Sequence, residues 1–366
     1  MSGEGSNTPE GAAVSVTGET PVSAARAVPV RFQARPFVPR LFLSNRHLQT
    51  IAGNFLSRTN TLTPPVPELV EVSPPRTTQI ASGVVCDCHW HPVAVRAKRP
   101  TVILVHGLEG SSESQYVVGN ANKMWRAGAN IIRMNMRNCG DTERLSPTLY
   151  HSGLSSDVGA VLGHFVEREH LESVALVGYS MGGNLVLKLA GELGADAPSQ
   201  LHSVVAVSPS IDLGHTADAL HRRENWLYER RFLRSLIRRF RFKATLFPRV
   251  YDPRLADGIR SLREYDERIT ALYSGFASAD DYYNRASAVR VVDRIRVPAL
   301  VIHALDDPFV PITPETLAAL IANPFISLLE SERGGHCAFL ARPNHAGGDD
   351  GYWAETTLLR FILSHV

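Results

Sequence analysis

The chain has 366 residues, 44% of them hydrophobic and 20% charged, and a formal net charge of +2. That length and composition allow a large apolar core in one α/β domain or two ordinary ones, and the charge is too mild to argue for a nucleic-acid partner, whose footprint needs a concentrated basic face. Four cysteines give no framework for a secreted fold of this size; Cys86, Cys88 and Cys139 fall in segments that read as strand or strand end, so a reducing compartment is the simpler reading.

In chain order, residues 1–34 come first, rich in Gly, Ser, Thr, Pro and Ala and without an apolar stretch long enough for a signal-peptide core. They predict a disordered tail. GVVCDCHWHPV (from residue 83) and TVILVH (101) read as strands, NANKMWRAG (120) as a helix, NIIRMNM (130) as a strand and GLSSDVGAVLGHFVERE (153) as an amphipathic helix. SVALVGYS (173) is a strand, MGGNLVLKLAGEL (181) a helix and SVVAVSPS (203) a strand; PALVIHAL (298), TPETLAALIAN (313) and FISLLESE (325) then read strand, helix, strand. Such alternation predicts a mostly parallel central sheet with helices on both faces. Residues 213–290 hold no convincing strand and predict a helical cap inserted over the sheet, between core segments 35–212 and 291–366. No run reaches the roughly 18 apolar residues of a membrane span, so the expected location is the cytoplasm.

The stretch VALVGYSMGGNLVL (174–187) places one hydroxyl among glycines where a strand gives way to a helix. A turn that sharp excludes side chains at its flanks, and Gly178, Gly182 and Gly183 meet that demand. Gly178-Tyr-Ser180-Met-Gly182 matches the G-x-S-x-G nucleophile elbow, which exposes the serine at the carboxyl end of a strand, over the first N–H groups of the following helix.

A serine needs a base and an orienting acid, and behind such an elbow the chain order is Ser, acid, His. HALDDPFVP follows one strand and RGGHCAFL the next, both on the edge that carries Ser180. Asp307, directly before Pro-Phe-Val-Pro, is the expected acid, and His336, behind Gly334 and Gly335, the expected base. Asp306 and Asp212 remain alternatives for the acid; a losing aspartate reads as a helix cap or loop charge. For the oxyanion hole the expected backbone donors are Met181, after the nucleophile, and Leu108, in the loop VHGLEGSSESQY. Neither G-x-G-x-x-G nor G-x-x-x-x-G-K-[ST] is present, which argues against nucleotide binding.

Taken together, HLQT, HGLEGSSESQY, RMNMRNCGD, LYHSG, GYSMGGN, ITALYSGFASADDYYNRAS, ALDDPFVP and GGHCAF resemble the YheT-like α/β-hydrolases, a bacterial group related to eukaryotic membrane-associated hydrolases and to yeast alcohol acyltransferases that make fatty-acid ethyl esters. The resemblance spans residues 36–366. It implies the α/β-hydrolase fold and an ester-directed serine hydrolase with Ser180, Asp307 and His336 as its triad. The elbow departs from the group's more frequent Phe and Leu at positions 179 and 181; both changes are conservative, and a backbone donor survives either. The N-terminal tail has no counterpart in the group.

Two further clusters read more plainly. Strand alternation sends Cys86 and Cys88 to one face and Asp87, His89 and His91 to the other, so they do not converge on a metal. The basic stretch 221–243 reads as a lid helix with its arginines in water, or else as a surface that attracts anionic lipid or acidic substrate groups. The expected function is therefore cofactor-free hydrolysis of carboxylic esters, short- to medium-chain or lipid-like, through an acyl-enzyme. A serine at the elbow excludes the alkyl-enzyme chemistry of dehalogenases and epoxide hydrolases, which uses an aspartate there. Acyl transfer to an alcohol is the alternative within enzymes, and a non-catalytic binding protein on the same scaffold the alternative outside them. The expected partner is a small-molecule ester, with a peripheral membrane contact left open and oligomeric state undetermined.

Overall fold

The computed structural model describes residues 26–72, 82–343 and 349–366. Eight strands form one sheet in the order β1-β2-β4-β3-β5-β6-β7-β8: β1 (Val66–Val72), β2 (Ser82–His89), β3 (Thr101–Val105), β4 (Asn130–Asn135), β5 (Val174–Tyr179), β6 (Leu201–Val207), β7 (Ala299–Ala304) and β8 (Ile326–Ser331). β2 runs antiparallel to both its neighbours, and all strands from β4 to β8 are parallel. β1 was not among the strands read from the sequence. It is an edge strand, its burial alternates rather than being continuous, and prolines crowd its start.

The central strands are buried on both faces, which is why they read as unbroken apolar runs. Ile103, Val105, Leu176, Val204 and Val301 point into one core layer with Cys86 and Cys88. Val102, Leu104, Val177, Val205 and Ile302 point into the other. Helices α3 (Ser155–Glu169) and α4 (Met181–Leu193) cover the first layer; α2 (Gln115–Arg126) and α9 (Trp353–Leu363) cover the second. A short α8 (Pro314–Ala322) links β7 to β8. This is the α/β-hydrolase fold.

Between β6 and β7 the described chain is helical: α5 (Leu213–Leu220), α6 (Trp226–Leu246), several short turns and α7 (Ala279–Ala286). Asn184 of α4 ties the far end of this cap to the core, donating to the carbonyls of Ser152 and Ala286 at 2.9 Å while accepting from the Ala288 N–H at 2.8 Å.

The tail boundary needs correction. Residues 1–25 of the expected disordered tail lie outside the described residues, but residues 26–34 lie against the core. Arg26 donates to the carbonyls of Leu201 (2.6 Å) and Pro198 (2.7 Å), the Phe32 N–H donates to Ser327 (2.8 Å), and the Phe32 ring meets Phe361 edge-on at 5.3 Å. Composition alone did not weigh single anchors of this kind. A ten-residue helix, α1 (Arg46–Phe55), follows, capped by the Asn45 side chain.

Candidate active site

Ser180 stands between β5 and α4 with φ 54° and ψ −116°, a conformation that side chains adopt only under constraint. Its neighbours explain how it is held. A Cβ on Gly178 would lie 2.6 Å from the Gly183 nitrogen, one on Gly182 would lie 2.5 Å from the His106 carbonyl oxygen, and one on Gly183 2.8 Å from Pro209. The Ser180 N–H donates to the Val207 carbonyl at 2.9 Å, and its own carbonyl accepts from the N–H groups of Asn184 and Ser210. The strained turn is thus fixed by close packing and by backbone bonds to the next strand.

The loops after β7 and β8 bring the expected acid and base together. His336 Nδ1 lies 2.8 Å from Asp307 Oδ2, and Asp307 Oδ1 accepts the N–H groups of Phe309 and Val310 at 3.0 Å each. With Nδ1–H donating to the carboxylate, Nε2 is left as the accepting nitrogen. Burial disfavours charge on both groups, but each partner outweighs it: His336 and the backbone donors hold the Asp307 carboxyl below the usual carboxylate range, and the Asp307 carboxylate raises the His336 imidazole above the usual histidine range.

The other two aspartates have different work. Asp306 Oδ1 accepts the N–H of Gly335 at 2.9 Å, fixing the turn before His336, where Gly335 has φ 57°. Asp212 is the N-cap of α5, accepting from the His215 N–H at 3.2 Å. Both are turn or cap residues, and only Asp307 meets the imidazole.

Ser180 and His336 open onto one cavity of about 450 Å³, bordered also by Leu108 and Met181. Gly107 lets the loop after β3 approach closely: a Cβ there would be 3.2 Å from Ser180 Cβ. His106, ahead of it, is a structural residue. Its Nδ1 contacts the Gly107 carbonyl at 2.8 Å, its Nε2 accepts the Met136 N–H at 3.1 Å, and burial lowers its pKa to about 4.

Several supporting residues escaped the sequence reading. Thr50, in the HLQT stretch of α1, accepts the His336 N–H at 2.9 Å through Oγ1, and the Gln49 amide pairs both ways with the Leu340 backbone at 3.0 Å. Ser208 accepts the Cys337 N–H at 3.1 Å. Tyr116 accepts the Gly107 N–H at 2.8 Å. Glu109 has φ 57° and carries a carboxylate that accepts from Tyr150 (2.6 Å), Arg239 Nε (3.1 Å) and Ser235. HLQT and HGLEG were visible as motifs; what their side chains hold was not. The cap closes the cavity with an apolar face that includes Tyr228, Phe232, Leu236, Phe240 and Leu262.

Residues 100–343 match the family model described as alpha/beta hydrolase fold. The chain belongs to the α/β-hydrolase family. This hydrolase is 31% identical, over 83% of its length and 87% of the relative's, to the Escherichia coli (strain K12) protein named "Putative esterase YheT". It is 27% identical to the Saccharomyces cerevisiae medium-chain fatty acid ethyl ester synthase/esterase 2, over 72% of this chain and 62% of that one. Among solved structures, the Pyrococcus furiosus esterase Pf2001 superposes with a TM-score of 0.51 at 16% identity, covering 84% of this chain and 96% of its own, a likeness of fold. The two relatives named by sequence place the hydrolase among the carboxylic ester hydrolases.

Proposed function

We propose that this hydrolase cleaves esters of apolar, medium-length acyl chains through an acyl-enzyme on Ser180. The observation that carries the proposal is the His336–Asp307 pair opening, with the strained Ser180 elbow, onto one cap-covered cavity. His336 Nε2 takes the Ser180 proton as Oγ adds to the ester carbonyl, and the N–H groups of Leu108 and Met181 receive the developing oxyanion. His336 then gives that proton to the departing alcohol oxygen as the C–O bond breaks. Water adds to the acyl-enzyme with His336 again as base, and release of the acid restores Ser180. Asp307 orients the imidazole and stabilises its charged form.

The acyl preference rests on the cavity lining. Tyr228, Phe232, Leu236 and Phe240 descend from one face of α6, and each methylene buried against such a wall contributes up to about 0.8 kcal/mol, so kcat/KM should climb from acetyl toward medium chains until the cavity is full. The test has two parts. A fluorophosphonate probe should label the native chain and not Ser180→Ala, and p-nitrophenyl esters of graded chain length should show the climb, flattened in Phe232→Ala and Leu236→Ala. Absence of labelling in the native chain refutes the mechanism. Acetate as the best substrate, with an unchanged profile in the cap variants, refutes the acyl assignment.

A second resolution of the acyl-enzyme, by an alcohol in place of water, is suggested by the name of the yeast relative, which is both a synthase and an esterase. The same triad serves both, so added ethanol in the ester assay would divert product from acid to ethyl ester if that route operates.

A further inference from the structure

Residues 222–243 contain eight arginines and one lysine against two glutamates, a surplus of seven positive charges in a chain whose whole net charge is +2. The structure sorts them. On α6, Arg239 and Lys243 turn inward to the cap and the loops beneath it. Arg230, Arg231, Arg234 and Arg238 are exposed, and no acidic partner is found for them among the described residues. Their spacing puts all four on one side of the helix, opposite buried Leu233, Leu236 and Phe240. That solvent side also carries Trp226 (52% exposed) and Leu227 (71% exposed).

The same face continues onto α1. Arg46 pairs with Glu224 at 3.1 Å, the His47 ring stacks on Tyr228, and the Arg231 guanidinium lies 5.2 Å from the centre of the Phe55 ring. Beside it stand Ile51 (44% exposed) and Phe55 (66% exposed), and both, with Arg231, border the cavity that holds Ser180. The cavity of the candidate active site is therefore bordered by two large apolar side chains that face water, Ile51 and Phe55, beside a row of arginines for which the described residues supply no acidic partner.

We infer that this face, formed by α6 and α1, docks on the surface of a bilayer containing anionic phospholipid and presents the cavity mouth to esters held there. The chemistry is that of an interfacial helix: Trp and Leu enter the headgroup boundary while guanidinium groups pair with phosphate, neither contribution being sufficient alone. Among the described residues no helix is long and apolar enough to cross a membrane, so the contact is a surface one. The inference rests on the ester-hydrolase reading for its purpose, but not for its geometry.

The test is co-sedimentation of the full chain with vesicles of phosphatidylcholine alone or of phosphatidylcholine with phosphatidylglycerol. Native protein should bind the anionic vesicles and release them as salt rises from 0.1 to 0.5 M. The triple variant Arg230→Gln, Arg234→Gln, Arg238→Gln should bind on the order of 100-fold more weakly, and Leu227→Ser several-fold. These positions lie outside the cavity, so hydrolysis of a soluble short-chain ester should be unchanged in every variant. Native protein that stays in the supernatant with anionic vesicles overturns the inference, as does binding indifferent to the arginine substitutions, or retention by an RNA duplex but not by vesicles. If soluble ester is cleaved without vesicle binding, the docking surface fails and the hydrolase stands; vesicle binding without cleavage leaves the surface standing and the hydrolase reading refuted.

Discussion

Arg239 on α6 donates through Nε to the Glu109 carboxylate at 3.1 Å, so the cap is pinned by an ion pair to the residue immediately after Leu108. Glu109 needs such an anchor because its φ of 57° is unfavourable for a side-chain-bearing residue. Tyr150 completes it, donating to the carboxylate at 2.6 Å and accepting the Glu109 N–H at 3.2 Å. Placement of the cap and aim of the Leu108 N–H, the proposed oxyanion donor, are thereby one structural variable. On that proposal Arg239→Met should lower kcat by about 10- to 100-fold with a smaller change in KM, since an oxyanion donor matters most in the transition state. Affinity for a boronate that mimics the tetrahedral intermediate should fall in parallel. An unchanged kcat in a folded variant would reduce the ion pair to a cap fastening.

The two adjacent aspartates should separate cleanly. Asp307→Asn leaves His336 without its carboxylate and should cost 10²- to 10⁴-fold in kcat. Asp306→Asn removes a charge but keeps an amide oxygen able to accept the Gly335 N–H, and should stay within about tenfold of native. Both need checking by circular dichroism. A reversal of the two effects would displace Asp307 from its proposed role.

The pH dependence has a definite sign. The proposed mechanism needs neutral His336, whose pKa Asp307 raises despite burial, so kcat/KM should increase with pH through a midpoint above the ordinary histidine value of about 6.5. In Asp307→Asn the largest influence opposing burial is gone, and the midpoint of the residual activity should fall. The same pair affects stability. The raised His336 pKa contributes stability present below about pH 6.5 and lost as pH rises through its folded-state value; the depressed Asp307 pKa contributes stability present above about pH 4 and lost as pH falls through its own. Midpoints that coincide in native and variant profiles would show that the carboxylate does not set the basicity of His336.

Two glycine substitutions with opposite outcomes test the elbow. A Cβ at Gly182 would press on the carbonyl oxygens of Val105 and His106, backbone atoms that cannot yield, so Gly182→Ala should destabilise by about 1–3 kcal/mol or more and remove most activity. At Gly163, inside α3, a Cβ meets nothing within 4 Å, and Gly163→Ala should add roughly 0.5–1 kcal/mol through helix propensity. Thermal unfolding of the pair measures both; a harmless Gly182→Ala would mean the turn is looser than its packing indicates.

Local sequence determined what depends on neighbouring residues. The strands that are buried on both faces had to be apolar throughout, and the glycines of GYSMGGN had to lack side chains, so the parallel sheet and the position of Ser180 were legible without coordinates. Tertiary structure decided what depends on direction and distance. Asp306 and Asp307 share one dipeptide, and only the turn after β7 aims one carboxylate at His336 and the other at Gly335. Thr50 meets the His336 backbone across 286 residues, and Arg239 meets Glu109 across 130; no local periodicity encodes such pairs, because each half is an ordinary polar residue until the chain closes. Residues 26–34 eluded the reading for the same reason: their partners come from remote segments, and a window of neighbours contains none of them. The edge strand β1 pairs with the next strand in the chain, but its exposed residues and flanking prolines give it no continuous apolar run.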